Sequence, residues 1–338
     1  MEIFYLGVDV SKKKLDLCLR KDGKEKLYDV IPNDIRSISR WLKGQQCLNG
    51  VPFSSFVVCA EYTGMYTYPL VMASSSLGVR LCLEDGARIK YSDGIRRGKS
   101  DSTDARLIAS YAERYSDVLK PCRQEGEEVS ELKRLYSDRS MLITDRSKYA
   151  AQLKDQKNFT DKRIYREKFS MFRRLIAELD RCIADVESKI RAIVCGSPLL
   201  CRCSILLKSI DGIGEWMSVK MIIETDAFRS FDFNPRKFCC HAGVAPFCYT
   251  SGSSQRSRSK VSNRADKSIK WMLHMCALSC IRMNGSPLRE YYERKVAEGK
   301  NKMAVINALR AKLVFIMFAV VKNDTPFDRF FQNNLCKP

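Results

Sequence analysis

Apolar positions change their period along the chain, and each change marks a different kind of element. Ile3 to Val10 is an almost unbroken apolar run, Leu15-Asp16-Leu17-Cys18-Leu19 alternates after a Ser-Lys turn, and Lys26 to Ile31 offers a third strand. Three short strands in quick succession predict an antiparallel meander. Asn33 or Asp34 can then N-cap a helix in which Ile35, Ile38, Trp41 and Leu42 share one face. A buried-type strand follows, Phe56 to Ala60 ending in Glu61, then a helix from Tyr66 to Leu77, a strand from Val79 to Leu83 and a helix from about Ser102 to Tyr115. The predicted order is βββαβαβα.

From Glu127 to Val194 the pattern becomes helical, charged and almost free of Gly and Pro. Phe172, Ile176, Leu179, Ile183, Val186, Ile190 and Ile193 step by alternating four and three residues, an a/d seam that predicts an antiparallel helical hairpin or a dimerising coiled coil. Gly196-Ser197-Pro198 then punctuates the chain, and short helices follow around a loop, Ala245 to Asn263, rich in Ser, Arg and Lys. The expected organisation is an α/β domain over 1–122, a helical linker over 123–196 and a mainly helical domain over 197–338.

Charge narrows the partners. The 338 residues carry 59 Lys+Arg against 39 Asp+Glu, a net charge of +20, which puts nucleic acid first. With 45% hydrophobic and 29% charged residues, the composition is that of a globular chain with real cores. Apolar runs such as Lys312 to Val321 are shorter than the roughly 20 residues of a bilayer span, so no span is expected, and the start of the chain lacks an export signal. A cytoplasmic location is expected, with the 15 cysteines as reduced thiols. No C-x-x-C occurs and the only histidines are His241 and His274, so acid–base or metal chemistry must rest mainly on carboxylates.

Four carboxylates stand out. Asp9 interrupts the first strand, a costly place for a charge unless paired or metal-bound; Glu61 ends the fourth strand; Asp101 and Asp104 share a face at the start of a helix. In a ribonuclease-H-like mixed sheet these three segments converge, and four carboxylates around one cleft suit two Mg²⁺ ions, which take oxygen ligands and clamp both oxygens of a phosphoryl transfer. Lys12, Lys13, Lys14, Arg96, Arg97 and Lys99 flank that cleft and could hold phosphates. Further on, Ser209-Ile210-Asp211-Gly212-Ile213-Gly214 precedes a helix, a helix-hairpin-helix-like turn in which Gly212 and Gly214 would expose backbone N–H groups to a phosphate. The basic loop holds Ser251-Gly252-Ser253-Ser254 followed by Arg256, Arg258 and Lys260, on its own terms a flexible phosphate-binding loop.

The blocks GVDVSK around Asp9, EYTGMY from Glu61 and KSDSTDARLIASYA containing Asp101 and Asp104, with SIDGIGEWMSVKMI and FCCHAGVAPFCYTSG further on, resemble the DEDD transposases of the insertion-sequence one-ten type. The resemblance implies a RuvC-like domain, a coiled-coil linker and a small helical transposase domain, acting as a dimer or tetramer with a structured bridge RNA that pairs with donor and target DNA. It implies that Asp9, Glu61, Asp101 and Asp104 hold Mg²⁺ and that Ser251 forms a covalent link to DNA. After the basic loop the chain departs from the family: Ala265-Asp266 and Lys270 stand where the family shows Gly-Asn and an Arg. The readings that compete with this recombinase are a metal-dependent junction-resolving nuclease that does without Ser251, and an inactive nucleic-acid-binding regulator.

Overall fold

A computed structural model describes residues 2–94, 100–122, 126–247, 250–251, 255–256, 260–261 and 265–330, with backbone alone over 247–264. The chain divides into two compact units, Met1–Gln124 and Glu125–Pro338.

The first unit is built on strands β1 (Phe4–Val10), β2 (Lys14–Lys21), β3 (Lys24–Pro32), β4 (Phe56–Glu61) and β5 (Arg80–Glu84) and helices α1 (Ile35–Asn49), α2 (Tyr68–Leu77), α3 (Gly86–Tyr91) and α4 (Asp101–Arg114). Asp22 and Gly23, at φ 50° and 74°, make the tight turn that joins β2 to β3. The sheet runs β3-β2-β1-β4-β5, antiparallel through the meander and parallel from β1 to β5. That is the sheet of a ribonuclease-H-like domain, with α3 an element the sequence pattern did not predict.

Residues alternate between the two faces of this sheet. Leu6, Val8, Leu15, Leu17 and Leu19 pack with Ile38 and Leu42 of α1 and Leu70 and Ala73 of α2. Cys18 packs instead with Ala105 and Ala109 of α4, beside a cluster of Val57, Cys59 and Ile108. Small residues decide how close α4 comes: a Cβ on Gly7 would stand 2.2 Å from the Ala109 nitrogen and 2.4 Å from the Ala105 oxygen, so only glycine lets the helix backbone rest on β1. Ser100 caps α4, accepting from the Thr103 N–H, while the Thr103 hydroxyl closes the reciprocal half of a capping box. Asp101 is therefore not spent on capping. Ser100→Ala is expected to cost about 1 kcal/mol, read as a lower urea midpoint.

In the second unit, α5 (Glu127–Gln156) and α6 (Lys162–Gly196) form an antiparallel hairpin. Arg139 pairs with Glu187, Arg146 with Asp180, and the Tyr149 ring meets Phe172 edge-on at 5.2 Å. On the predicted seam Phe172 and Ile190 are buried, and Ile176, Leu179, Ile183, Val186 and Ile193 are half-buried.

Helices α7 (Pro198–Lys208), α8 (Glu215–Thr225), α9 (Pro235–His241), α10 (Lys267–Arg282), α11 (Pro287–Ala297) and α12 (Lys302–Lys322) complete the unit around one core. Helix α12 continues N-terminally from the apolar run and is long and apolar enough to cross a membrane by length and composition, but half of that stretch is buried, with Leu309, Leu313, Val314 and Met317 in the core. The described cysteines are free thiols; burial pushes Cys59, Cys239 and Cys280 up to about 12.

Candidate active site

The candidate carboxylates of the first unit lie on the sheet face that α4 covers. In β1, Asp9 follows the Gly7 that α4 rests on; in parallel β4, Glu61 follows Ala60, and Val8 and Ala60 are partners, so Asp9 and Glu61 stand side by side one residue further on. Across the antiparallel pair, Asp9 faces Asp16 of β2. Asp101 and Asp104 enter from the first turn of α4.

Oxygens of Asp9, Asp16 and Asp101 all lie within 4.8 Å of one another. Burial pushes the Asp9 carboxyl up to about 6, helped by the negative charges of Asp104, Asp101, Asp16 and Glu61. The other three predicted carboxylates thus all bear on Asp9, and so does Asp16, which sequence reasoning did not single out; Asp9, Asp16 and Asp101 are the ones drawn into a single cluster. Asp16 is 1% exposed and is held by the Tyr28 hydroxyl, which donates at 2.5 Å. Its signal was available: Asp16 sits between Leu15 and Leu17 as Asp9 sits between Val8 and Val10, and the same burial argument applies to both.

Lys14 corrects an expectation. Its ammonium does not flank the cleft for phosphate but lies among the carboxylates, 3.0 Å from Asp16 and 2.9 Å from Asp101. Lys12 and Lys13 are exposed in the turn after β1. Arg96, Arg97 and Lys99 lie outside the described residues.

The Glu61 carboxylate stands over Gly86 at the start of α3, where a Cβ would fall 2.0 Å from its Oε1. Because the colliding atoms end a flexible side chain, Gly86→Ala is expected to leave stability nearly unchanged and to swing Glu61 aside. Divalent-ion affinity, measured by titrating Mn²⁺, should drop about tenfold; an unchanged affinity would place Glu61 outside the ion's reach.

In the second unit, the basic segment expected as a flexible loop has paired backbone. β6 (Pro246–Phe247) pairs with β9 (Lys260–Val261), and inside them β7 (Thr250–Ser251) pairs with β8 (Gln255–Arg256). Ser251, opposite Gln255, is the last paired residue of β7. The side chains of Ser251, Arg256 and Lys260, and Arg258 altogether, lie outside what is described. The ribbon's two ends are tied together by the Asp266 N–H donating to the His241 carbonyl at 3.2 Å. Close by, Glu224 accepts from Lys220 at 2.6 Å and lies 3.3 Å from His241 Nε2. Burial raises the Glu224 carboxyl, but those two partners outweigh it and hold it at about 2.

Gly212 has a packing reason for being glycine. At φ +77° it lies against α10, where a Cβ would meet Cys280 Sγ at 2.5 Å and the Cys276 oxygen at 2.8 Å. Gly214, the N-cap of α8, faces open space.

Two sequence profiles match this chain, a DEDD transposase profile over residues 6–156 and one for the Transposase IS116/IS110/IS902 family over 204–293. The chain belongs to this transposase family. Two relatives, pilin gene-inverting proteins of Moraxella bovis and Moraxella lacunata, are each 25% identical to the transposase over 332 residues, covering 96% of it and 98% of themselves. Among solved structures, Thermus thermophilus RuvC, alone and with a Holliday junction substrate, overlays on 36% of the transposase at 14% identity with a TM-score of 0.28.

The transposase is an enzyme that acts on DNA. Its acidic cluster is compatible with a divalent metal: among the described residues the donors are all carboxylate oxygens, with the Lys14 ammonium between Asp16 and Asp101.

Proposed function

We propose that the transposase cuts and rejoins donor and target DNA through a covalent phosphoserine at Ser251, with two Mg²⁺ ions held by Asp9, Glu61, Asp101 and Asp104. The observation that carries the reading is the convergence of three sheet strands and one helix end on Asp9, whose carboxyl is raised first by burial and then by the crowded negative charge. A site that strains against its own charge is built for a cation. When bound, divalent ions supply stabilisation of the charge that develops on the phosphate and its entering and leaving oxygens.

In the first step the Ser251 oxygen forms a bond to phosphorus, the bond to one deoxyribose oxygen breaks, and that oxygen leaves with a proton. The second step reverses this with the hydroxyl of another strand, restoring serine and rejoining DNA. Arg256, Arg258 and Lys260 in the same ribbon would hold the phosphate. Inversion of a DNA segment, the activity for which the Moraxella relatives are named, is a reaction of this class. The finer organisation follows the family resemblance: residues 1–122 carry the metal site, 123–196 a helical linker through which copies associate, and 197–338 the nucleophile, with target choice left to a structured RNA in the cytoplasm.

The test incubates the purified protein with RNA from the flanking element, Mg²⁺ and labelled donor and target duplexes, then seeks DNA-linked protein on a denaturing gel. An adduct in the wild type, absent from both Ser251→Ala and Asp9→Ala, is expected. Strand cleavage that survives Ser251→Ala with no adduct would make the transposase a metal-only nuclease.

A further inference from the structure

Helix α12 carries a charge where its neighbours are core. Leu309, Leu313 and Val314 are fully buried, and Arg310 between them is 7% exposed. A buried guanidinium ordinarily sits on a carboxylate, because an unpaired buried charge is expensive. Here, among the described residues, no carboxylate pairs with it. Arg310 Nη2 donates to His274 Nδ1 of α10 at 2.6 Å, and Nε has no partner. Because guanidinium has donors only, His274 must accept through Nδ1 and is neutral. Burial, then the Arg310 charge, lowers His274's proton affinity accordingly.

The described acids at the ribbon's root are already engaged: Glu224 by Lys220 and His241, and Asp266 by the first amides of α10. Residues 245–265, the whole basic ribbon, contain neither Asp nor Glu but do contain Arg256, Arg258, Lys260 and Arg264. Arg310 also lies on the side of α12 that meets the ribbon's root: Asn307, one turn earlier on the same helix face, donates through Nδ2 to the Val244 carbonyl at 2.9 Å. His274 belongs to α10, which begins directly after the ribbon's other end.

We infer that Arg310, oriented by neutral His274, is an anion site at the root of the ribbon, and that its occupant is a phosphate of the DNA backbone. The guanidinium's planar fork matches two phosphate oxygens, and a DNA-acting protein meets no commoner anion. The unmet charge is then a cost of the ligand-free protein that DNA removes.

The full-length protein, Arg310→Met and Arg310→Lys are melted in sodium chloride and in sodium phosphate of equal ionic strength. Their binding to a labelled DNA duplex and to an RNA hairpin is followed by fluorescence anisotropy across a salt series. Wild type should gain stability from phosphate beyond chloride. Arg310→Met should melt higher than wild type in chloride, lose the phosphate increment and bind the duplex about tenfold more weakly, with a salt slope shallower by about one. Arg310→Lys, with charge but no fork, should fall between them. The inference is overturned if wild type shows no phosphate increment, if the increment survives in Arg310→Met, or if that variant melts lower or fails to fold, which would make Arg310 a core residue. Weakened RNA binding with unchanged duplex binding would reject DNA as the occupant.

Discussion

Asp9→Asn is expected to make the metal-free protein more stable at pH 7.5 while removing its response to divalent ions and its strand cleavage. In the folded chain burial lifts the Asp9 carboxyl to about 6 from an ordinary 3.8. Between those values the folded state keeps a proton that the unfolded chain has already released, so stability falls as pH rises from about 4 to about 6 and stays lowered above. Asparagine resembles the protonated acid, so the variant carries to neutral pH the stability that wild type shows only in acid. The same exchange deletes an anionic donor, and divalent affinity should fall by at least the tenfold to hundredfold that supporting residues of metal sites are worth. Thermal melts at pH 5 and 7.5, with EDTA or Mn²⁺, separate the two effects. A lower metal-free midpoint for Asp9→Asn at pH 7.5 would mean that the carboxylate is a structural partner after all.

Gly7→Ala should be the most damaging single methyl in the first unit. Its Cβ would stand 2.2 Å and 2.4 Å from backbone atoms of α4, and no side chain can rotate out of the way. Either α4 lifts or β1 shifts, at a cost above the roughly 3 kcal/mol of ordinary overpacking. Because Asp101 and Asp104 ride on α4, whatever folded protein remains should bind Mn²⁺ weakly. Urea denaturation of the full chain with a parallel Mn²⁺ titration tests both halves. A wild-type midpoint would show that the helix is not held against β1 by Gly7.

Strand and helix identities in the first unit were legible because hydrophobic period and turn chemistry both act locally. Asp9 announced itself by lying between two valines, and Glu61 by ending a buried run. Asp16, between Leu15 and Leu17, carries the same signal as Asp9, and the register of β1 on β2 is what sets the two opposite each other. Lys14 shows the limit of charge reading: in a list of basic residues it looks like its neighbours Lys12 and Lys13, yet strand alternation turns it onto the acidic face. Gly212 carried a motif's appearance, but its conformation answers to α10, more than sixty residues further along the chain. Arg310 was invisible for a related reason, since nothing local says that an arginine in an apolar helix lacks a partner.

The capping box at Ser100 has a consequence for readiness. Two of the proposed ligands, Asp101 and Asp104, occupy the first turn of a single helix, and helix ends open and close spontaneously. Each opening scatters half of the tetrad while the strands keep Asp9 and Glu61 in place. On the proposed ligand set, the fraction of molecules competent at any instant would follow the few hydrogen bonds at that helix tip. Amide exchange at Asp104, whose N–H donates to the Ser100 carbonyl at 3.0 Å, is the clock on which that competence can be read.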